Sequence, residues 1–256
     1  MKLFVEKMVA TLRLLFPTRK FRSILFGLVL LSAIISVSEL VVAKFFTKII
    51  SHEHKLTSEQ MLTYTLVLLF CFVLTRVGHF LQKIGRVSVF DGSFKTANLT
   101  GGNMQESWQW SLAFEVSNIL GVCTQLIVVA VFFIVLNPAF SALNFVMLIV
   151  ILFVYGALFR HQLGAQQGFR ESRKQKKVVA NSVRVGTRIR SGELGALVSG
   201  FGMIILLTVL LYMSYKRDIP PGDAIVFFFG LKMQTSNLAT FSAGLMRFAR
   251  ALANSE

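Results

Sequence analysis

Six polar residues inside strongly apolar stretches have the clearest capacity for chemistry in this sequence. They are Glu39, Arg76, Lys232, Ser236, Thr240 and Arg247. A charged side chain in lipid costs several kcal/mol unless it pairs with an opposite charge or reaches water. Such residues indicate a polar pathway through a membrane, and we take these six as candidate pathway-lining residues.

Four of the six follow helical spacing near the C-terminus, in GLKMQTSNLATFSAGLMRFAR. At 100° per residue, Lys232, Ser236, Thr240, Gly244 and Arg247 fall within about 120° of one another on a helix. A polar stripe on an otherwise apolar helix is unfavourable against lipid. We therefore expect it to face either a water-filled pathway or a partner helix, and the spacing favours neither.

Glu39 and Arg76 lie in two successive apolar stretches. Glu39 comes about four residues before the outer end of the first, and Arg76 about five residues before the inner end of the second. At 1.5 Å per residue, their depths in the membrane would differ by roughly 10 Å. The sequence thus predicts no direct Glu39–Arg76 pair, and it leaves Arg76 to extend towards the inner interface.

Motifs of known catalytic sites are absent from the sequence. Neither of two glycine-containing stretches, TGGN at 100–103 and SGELG at 191–195, has the spacing of a phosphate-cradling loop, and we read both as turns. The His52-Glu53-His54 run lacks a third ligand nearby in sequence, so we interpret it as a solvated loop. Cys71 and Cys123 fall in apolar runs and are expected to be packed, reduced thiols. We assign no catalytic, cofactor-binding or metal-binding residue, and the chain is not expected to be an enzyme.

Composition identifies the elements that must position these residues. Of the 256 residues, 54% are apolar, and the mean hydropathy is +0.66. Apolar stretches long enough to cross a bilayer recur along the chain. We predict an all-α integral membrane protein with six spans, at about 24–43, 61–81, 119–136, 138–159, 196–215 and 223–245.

The basic residues sort by side of the membrane. Twenty Lys and Arg residues lie in the N-terminal segment, the C-terminal tail and the loops 82–118 and 160–195, against five on the opposite side. The positive-inside rule therefore predicts that both termini are cytoplasmic. The same sorting explains the net charge of +15 without a nucleic-acid partner.

The N-terminal segment, residues 1–22, has the pattern of an amphipathic helix. Phe4, Met8, Leu12 and Leu15 recur at helical spacing, and Pro17 ends the pattern. We expect this helix to lie in the membrane interface as an elbow before the first span. No Gly/Ser-rich or Pro-rich linker divides the chain, so residues 1–256 are predicted to form a single transmembrane domain whose two large loops carry helical arms.

The combination of elbow helix, six spans and helical loops resembles the membrane domain of a type I ABC exporter. VSNILGVCTQLIVVAVFFIVLNPAFSALNFVMLIVILFVYGALFR is similar to the third and fourth spans of that family, including the turn at Asn137-Pro138. IPPGDAIVFFFGLKMQTSNLATFSAGLMRFARALANSE is similar to its sixth span, which precedes the nucleotide-binding domain. The resemblance covers about residues 5 to 256 and includes no nucleotide-binding domain.

The resemblance implies a transport subunit in a bacterial inner membrane. It would dimerise with an identical or related membrane subunit and rely on a separate ATPase chain, which alone would bind ATP and Mg²⁺. The loops are shorter than the arms of the family, which favours an alternative: an ATPase-independent structural or assembly subunit of a larger membrane complex. A third reading is an ion-driven carrier, for which Glu39 supplies the intramembrane carboxylate. Substrate, transport direction and the role of the basic loop 160–195 stay open.

Overall fold

The computed structural model describes residues 1–50, 57–97, 103–176 and 179–255. Within these ranges the chain is helical, with seven helices joined by short connections. They are α1 (Lys2–Leu15), α2 (Arg19–Ile50), α3 (Ser58–Thr96), α4 (Asn103–Leu136), α5 (Pro138–Lys174), α6 (Asn181–Tyr215) and α7 (Pro221–Ser255).

Five of these helices, α2 to α6, are long and apolar enough to cross a membrane. The protein is therefore an α-helical integral membrane protein, as predicted. The C-terminal ends of α3 and α5 and the N-terminal ends of α4 and α6 lie at one end of the bundle, which we call the arm end. The helices extend towards this end well past the predicted spans: α5 runs on from residue 159 to Lys174, and α6 begins at Asn181.

Helix α7 covers the predicted sixth span but is less apolar than the other five long helices and is not among the membrane-length candidates. It is enclosed by protein instead, because 17 of its 35 residues are buried and it packs against α2, α4, α5 and α6. A helix covered by neighbouring helices can carry small and polar residues that lipid would disfavour. The lower hydropathy of α7 is thus explained by its position among the other helices of the bundle.

Helix α3 lies at the opposite extreme, at the periphery of the bundle. Only 11% of its most apolar stretch is buried, against 28–39% in the other four membrane-length helices. Its main neighbour is α2. Three glycines spaced by seven residues, Gly78, Gly85 and Gly92, bring the two helices together, since each faces a side chain of α2.

The turn predicted at Asn137-Pro138 is present. Helix α4 ends at Leu136, and Pro138 opens α5, where its missing N–H and fixed φ are tolerated. The Asn137 side-chain oxygen accepts a hydrogen bond from the backbone N–H of Phe140 at 3.0 Å. This N-cap satisfies one donor of the first turn, so two residues are enough to reverse the chain.

Helix α1 has the predicted amphipathic character and ends before Pro17, whereas residues 19–22 form the first turn of α2. Part of its apolar surface packs on the bundle: the Phe4 ring lies 5.3 Å from that of Phe159 and 6.1 Å from that of Phe248, centroid to centroid. The Leu15 carbonyl accepts a hydrogen bond from the Ser93 hydroxyl at 2.7 Å. The elbow is therefore fixed to α3, α5 and α7.

A buried amide pair joins α5 to α7 in the bundle interior. The Asn144 Nδ2 donates to Gln234 Oε1 at 3.1 Å, and the Gln234 Nε2 donates to Asn144 Oδ1 at 2.8 Å. Replacing Gln234 with leucine leaves the Asn144 amide without this partner, and we expect the unfolding free energy to fall by about 1–2 kcal/mol. Thermal unfolding in detergent, followed by tryptophan fluorescence, measures the loss.

The double variant Asn144→Leu/Gln234→Leu is the control for this pair. It removes both amides at similar volume, so it should recover most of the stability that the single variant loses. If the double variant unfolds at an even lower temperature than the single one, the pair does not carry the stabilisation assigned to it.

Candidate functional site: polar groups on α7 and between α2 and α3

The polar stripe predicted on α7 coincides with the exposed side of that helix. Lys232, Ser236, Thr240 and Arg247 are all exposed, whereas the intervening Gln234, Leu238 and Phe241 are buried. We call these four residues the α7 polar face. Helix α7 is thus largely buried by the other described helices, yet it exposes one mainly polar strip.

Gly244, the fifth residue of the stripe, is buried. A Cβ at this position would lie 3.4 Å from Ile119 Cγ1 and 3.6 Å from the Glu115 carboxylate, both on α4. The glycine therefore marks where α4 crosses beside the α7 polar face.

Arg247 is neutralised by Glu115, which belongs to the predicted loop 82–118 but lies in helix α4. Its Nε donates to Glu115 Oε1 of α4 at 2.5 Å. The Glu115 side chain is 14% exposed, and its second oxygen has no hydrogen-bond partner among the described residues. The sequence contains no sign of the pair, because the two residues are 132 positions apart.

Lys232 is the second cation of the α7 polar face, and no carboxylate among the described residues neutralises it. Within the described ranges it forms no ion pair. An unpaired ammonium group needs water, an anion or a partner chain to balance its charge. The polar face can therefore attract an anion at the level of Lys232.

A second polar region lies in a groove between α2 and α3. It is lined by Glu39, Val42, Phe72, Thr75, Arg76 and His79. The Glu39 Oε1 lies 4.0 Å from His79 Nε2, and both side chains are partly exposed. The structure thus brings Glu39 and Arg76 to one groove, with His79 as the closer partner of the carboxylate.

The predicted depth difference of 10 Å between Glu39 and Arg76 is wrong. Gly78 faces Ile35, Gly85 faces Leu28, and Gly92 faces Phe21, so α2 and α3 run antiparallel in constant register. This register places Glu39 level with position 74, about two residues, or 3 Å, from Arg76. The prediction assumes that the ends of the two spans are level, whereas the register places Ile50, the end of α2, opposite position 63, five residues inside α3.

The chemistry available to these two regions is binding and proton exchange. Among the described residues, no hydrogen bond or ion pair joins the α7 polar face to the α2–α3 groove. In the same part of the chain, no three His, Cys, Asp or Glu side chains come together to hold a metal ion. His52-Glu53-His54 lies outside the described residues, and so does most of the 100–103 stretch. Cys71 and Cys123 are free thiols, as predicted.

Water access to the α7 polar face can be measured with a cysteine reporter. With Cys71 and Cys123 replaced by alanine, we expect a Ser236→Cys variant to react with a charged, membrane-impermeant thiol reagent, because only a hydrated thiol ionises and reacts. Ile204→Cys is the matched control, since residue 204 of α6 is 60% exposed but surrounded by apolar side chains. Equal and negligible labelling of both, measured by mass, would show that the face is dry.

Comparisons with known proteins do not assign the chain to a family. No family model matches the sequence, and the search of curated proteins returned no match. The structure therefore supports a helical membrane protein with two polar regions, and a more specific function rests on the arrangement of those regions.

Proposed function

We propose that this protein is the transmembrane subunit of an ABC-type exporter. Two copies, or one copy and a related subunit, would face each other across a substrate pathway. The proposal assigns ATP hydrolysis to a partner ATPase; the 256 residues contain no phosphate-cradling motif. The proposal includes α7 as a sixth span, with the arm end in the cytoplasm.

The observation that carries the proposal is the α7 polar face. A helix with half its residues buried exposes Lys232, Ser236, Thr240 and Arg247 on one side. Lipid is an unfavourable neighbour for this strip, whereas a shared aqueous pathway or a second copy satisfies it. Dimerisation through this side would place two such strips opposite each other.

The arms supply a means of coupling to an ATPase. From residue 160 to Lys174, α5 extends about 22 Å past its predicted span, and α6 returns over a similar length from Asn181. Helices α3 and α4 form a second pair at the same end. Rigid arms of this length can transmit a displacement at their tips to the membrane spans, which supports a coupling role for them.

The charge of the pathway suggests an anionic or amphiphilic substrate. Arg247 is balanced by Glu115, which leaves Lys232 as the cation of the α7 polar face without such a partner in the described structure. Replacing Lys232 with leucine should weaken transport of an anionic substrate. Unchanged transport by that variant would remove Lys232 from the pathway.

Two measurements test the proposal together. Oxidative cross-linking of the Ser236→Cys variant in native membranes should yield a dimer, whereas the Ile204→Cys control should not. Purification from the same membranes should recover a soluble chain with ATPase activity. Recovery of unrelated membrane subunits without an ATPase would favour the alternative, a structural or assembly subunit.

The α2–α3 groove favours a second candidate, an ion-driven carrier. Glu39 and His79 lie 4.0 Å apart in a membrane-length helix pair, an arrangement suited to taking up and releasing a proton. In proteoliposomes, such a carrier would accumulate substrate in response to a pH gradient without ATP, and Glu39→Gln would abolish that accumulation. ATP-dependent transport that persists in Glu39→Gln would exclude it.

A further inference from the structure

Five arginines converge on one cleft at the arm end, which begins one helical turn beyond Arg247 of the α7 polar face. Helix α5 contributes Arg170 and Arg173, α6 contributes Arg184 and Arg188, and α7 contributes Arg250. Trp108 of α4 and the buried Gln166 complete its polar wall. We call this set the arginine cleft; three separate helices of the arm end place their cations there.

The cleft concentrates positive charge, and the described part of the chain places no acidic side chain in its lining. None of its arginines forms an ion pair with another described residue. Burial, together with the neighbouring Arg188 and Arg184, lowers the pKa of Arg250. Like charges that line one cleft repel one another, so the cleft favours the binding of an anion.

Trp108 holds one of the arginines in place. The Arg250 guanidinium carbon lies 5.4 Å from the centroid of the Trp108 ring, a cation–π arrangement. The Asn254 Nδ2 donates to the Arg250 backbone carbonyl at 2.7 Å within the same wall of the cleft. A pre-positioned guanidinium loses less conformational entropy when it binds, which favours a ligand site over a mobile charged surface.

Phosphate is the anion that best fits this chemistry. Guanidinium groups present a planar fork of N–H donors that matches two phosphate oxygens, and several arginines around one cleft suit a ligand with more than one phosphate group. A single carboxylate would neutralise one guanidinium and leave the repulsion among the others. The number of arginines therefore indicates a multivalent phosphate.

The depth of the cleft favours a ligand from solution. Gln166 and Arg173 lie 7 and 14 residues beyond residue 159, the predicted end of the apolar stretch of α5. These separations correspond to about 10 and 20 Å along the helix. The headgroup layer of a bilayer is only about 5–8 Å thick on each side. The end of the cleft that contains Arg173 is thus beyond the reach of a lipid phosphate.

We propose that the arginine cleft binds a multivalent phosphate anion supplied from solution at the arm end. The proposal stands whether or not an ATPase partners the chain. Bound phosphate would link α5, α6 and α7, and so tie the α5–α6 arm to the central helix.

Titration of the full-length protein in a neutral detergent with inorganic tripolyphosphate tests the proposal. Calorimetry should show binding that weakens with added NaCl. The double variant Arg173→Gln/Arg188→Gln should bind at least about tenfold more weakly, since two charge-assisted contacts are lost. Arg160→Gln/Arg190→Gln removes the same charge from the same two helices outside the cleft and should bind like the wild type.

The other results of the titration, and the thermal stability of the variants, also decide the proposal. Absent binding, or equal weakening in both double variants, would overturn the proposal. Without ligand, Arg173→Gln/Arg188→Gln should unfold at the same or a higher temperature than the wild type, because repulsion is reduced; a lower temperature would show that the arginines are structural.

The source of the phosphate is tested in nanodiscs. Tripolyphosphate should bind equally in discs of phosphatidylcholine and in discs that also contain phosphatidic acid. Loss of binding in the second would show that a lipid headgroup occupies the cleft and would overturn the solution source. Tighter binding of a polyglutamate peptide than of tripolyphosphate would identify an acidic protein segment instead and overturn the proposal.

Discussion

Replacing Gly195 with alanine is expected to destabilise the protein by about 1–3 kcal/mol, because overpacking at a close helix crossing forces backbone shifts. A Cβ at residue 195 of α6 would overlap Ser242 Oγ of α7 and lie 2.8 Å from Ser242 Cβ. The same position lies 3.2 Å from the ring of the buried Tyr155, so the serine has little room to move away. Thermal unfolding in detergent should show a midpoint lower by several degrees.

Matched variants separate this effect from the general cost of changing a helical glycine. Gly200→Ala lies on the same helix, where a Cβ would meet nothing within 4 Å, and it should be neutral or slightly stabilising. The double variant Gly195→Ala/Ser242→Gly removes the colliding atoms and should recover part of the loss. A Gly195→Ala protein as stable as Gly200→Ala would mean that α6 and α7 do not cross so closely.

Replacing Arg247 with leucine is expected to cost about 2 kcal/mol of unfolding free energy. The change leaves Glu115, whose side chain is 14% exposed, without its 2.5 Å partner. Loss of one member of a fully buried pair costs more, but the 45% exposure of Arg247 admits solvent and reduces the penalty. The same variant places an unbalanced carboxylate beside the α7 polar face, so transport of an anionic substrate should fall as well.

The partner substitution supplies the control for this ion pair. Glu115→Gln removes the negative charge and keeps a hydrogen-bond acceptor, so it should be less harmful than Arg247→Leu. The double variant Glu115→Gln/Arg247→Leu should regain stability relative to Arg247→Leu alone. A double-mutant cycle with additive losses would show that the two residues do not interact in the membrane.

Much of the secondary structure could be predicted from the sequence because it depends on local patterns. Apolar stretches of membrane length, the spacing of Phe4, Met8 and Leu12 on α1, and the Asn137-Pro138 turn all act over a few residues. The stretch 191–195 is the exception. Its two glycines predict a turn, but the stretch is helical, and Gly195 lies where α6 crosses α7.

The candidate site could be predicted only in part. Helical periodicity alone places Lys232, Ser236, Thr240 and Arg247 on one side of α7, and the structure leaves that side exposed. The predicted depth of Glu39 relative to Arg76 is wrong because it depends on the offset between α2 and α3, which no apolar stretch encodes. The register of α2 on α3, set by glycines seven residues apart, corrected it.

The sequence by itself determined most of the helical segments, the membrane-length apolar character of α2 to α6, and which side of α7 is polar, since backbone hydrogen bonds and side-chain periodicity act within one helix. Only the tertiary structure decided that Glu115 pairs with Arg247, that His79 approaches Glu39, and that five arginines share one cleft. These contacts join residues far apart in the chain. They depend on the register in which side chains of neighbouring helices pack, and no local pattern encodes that register.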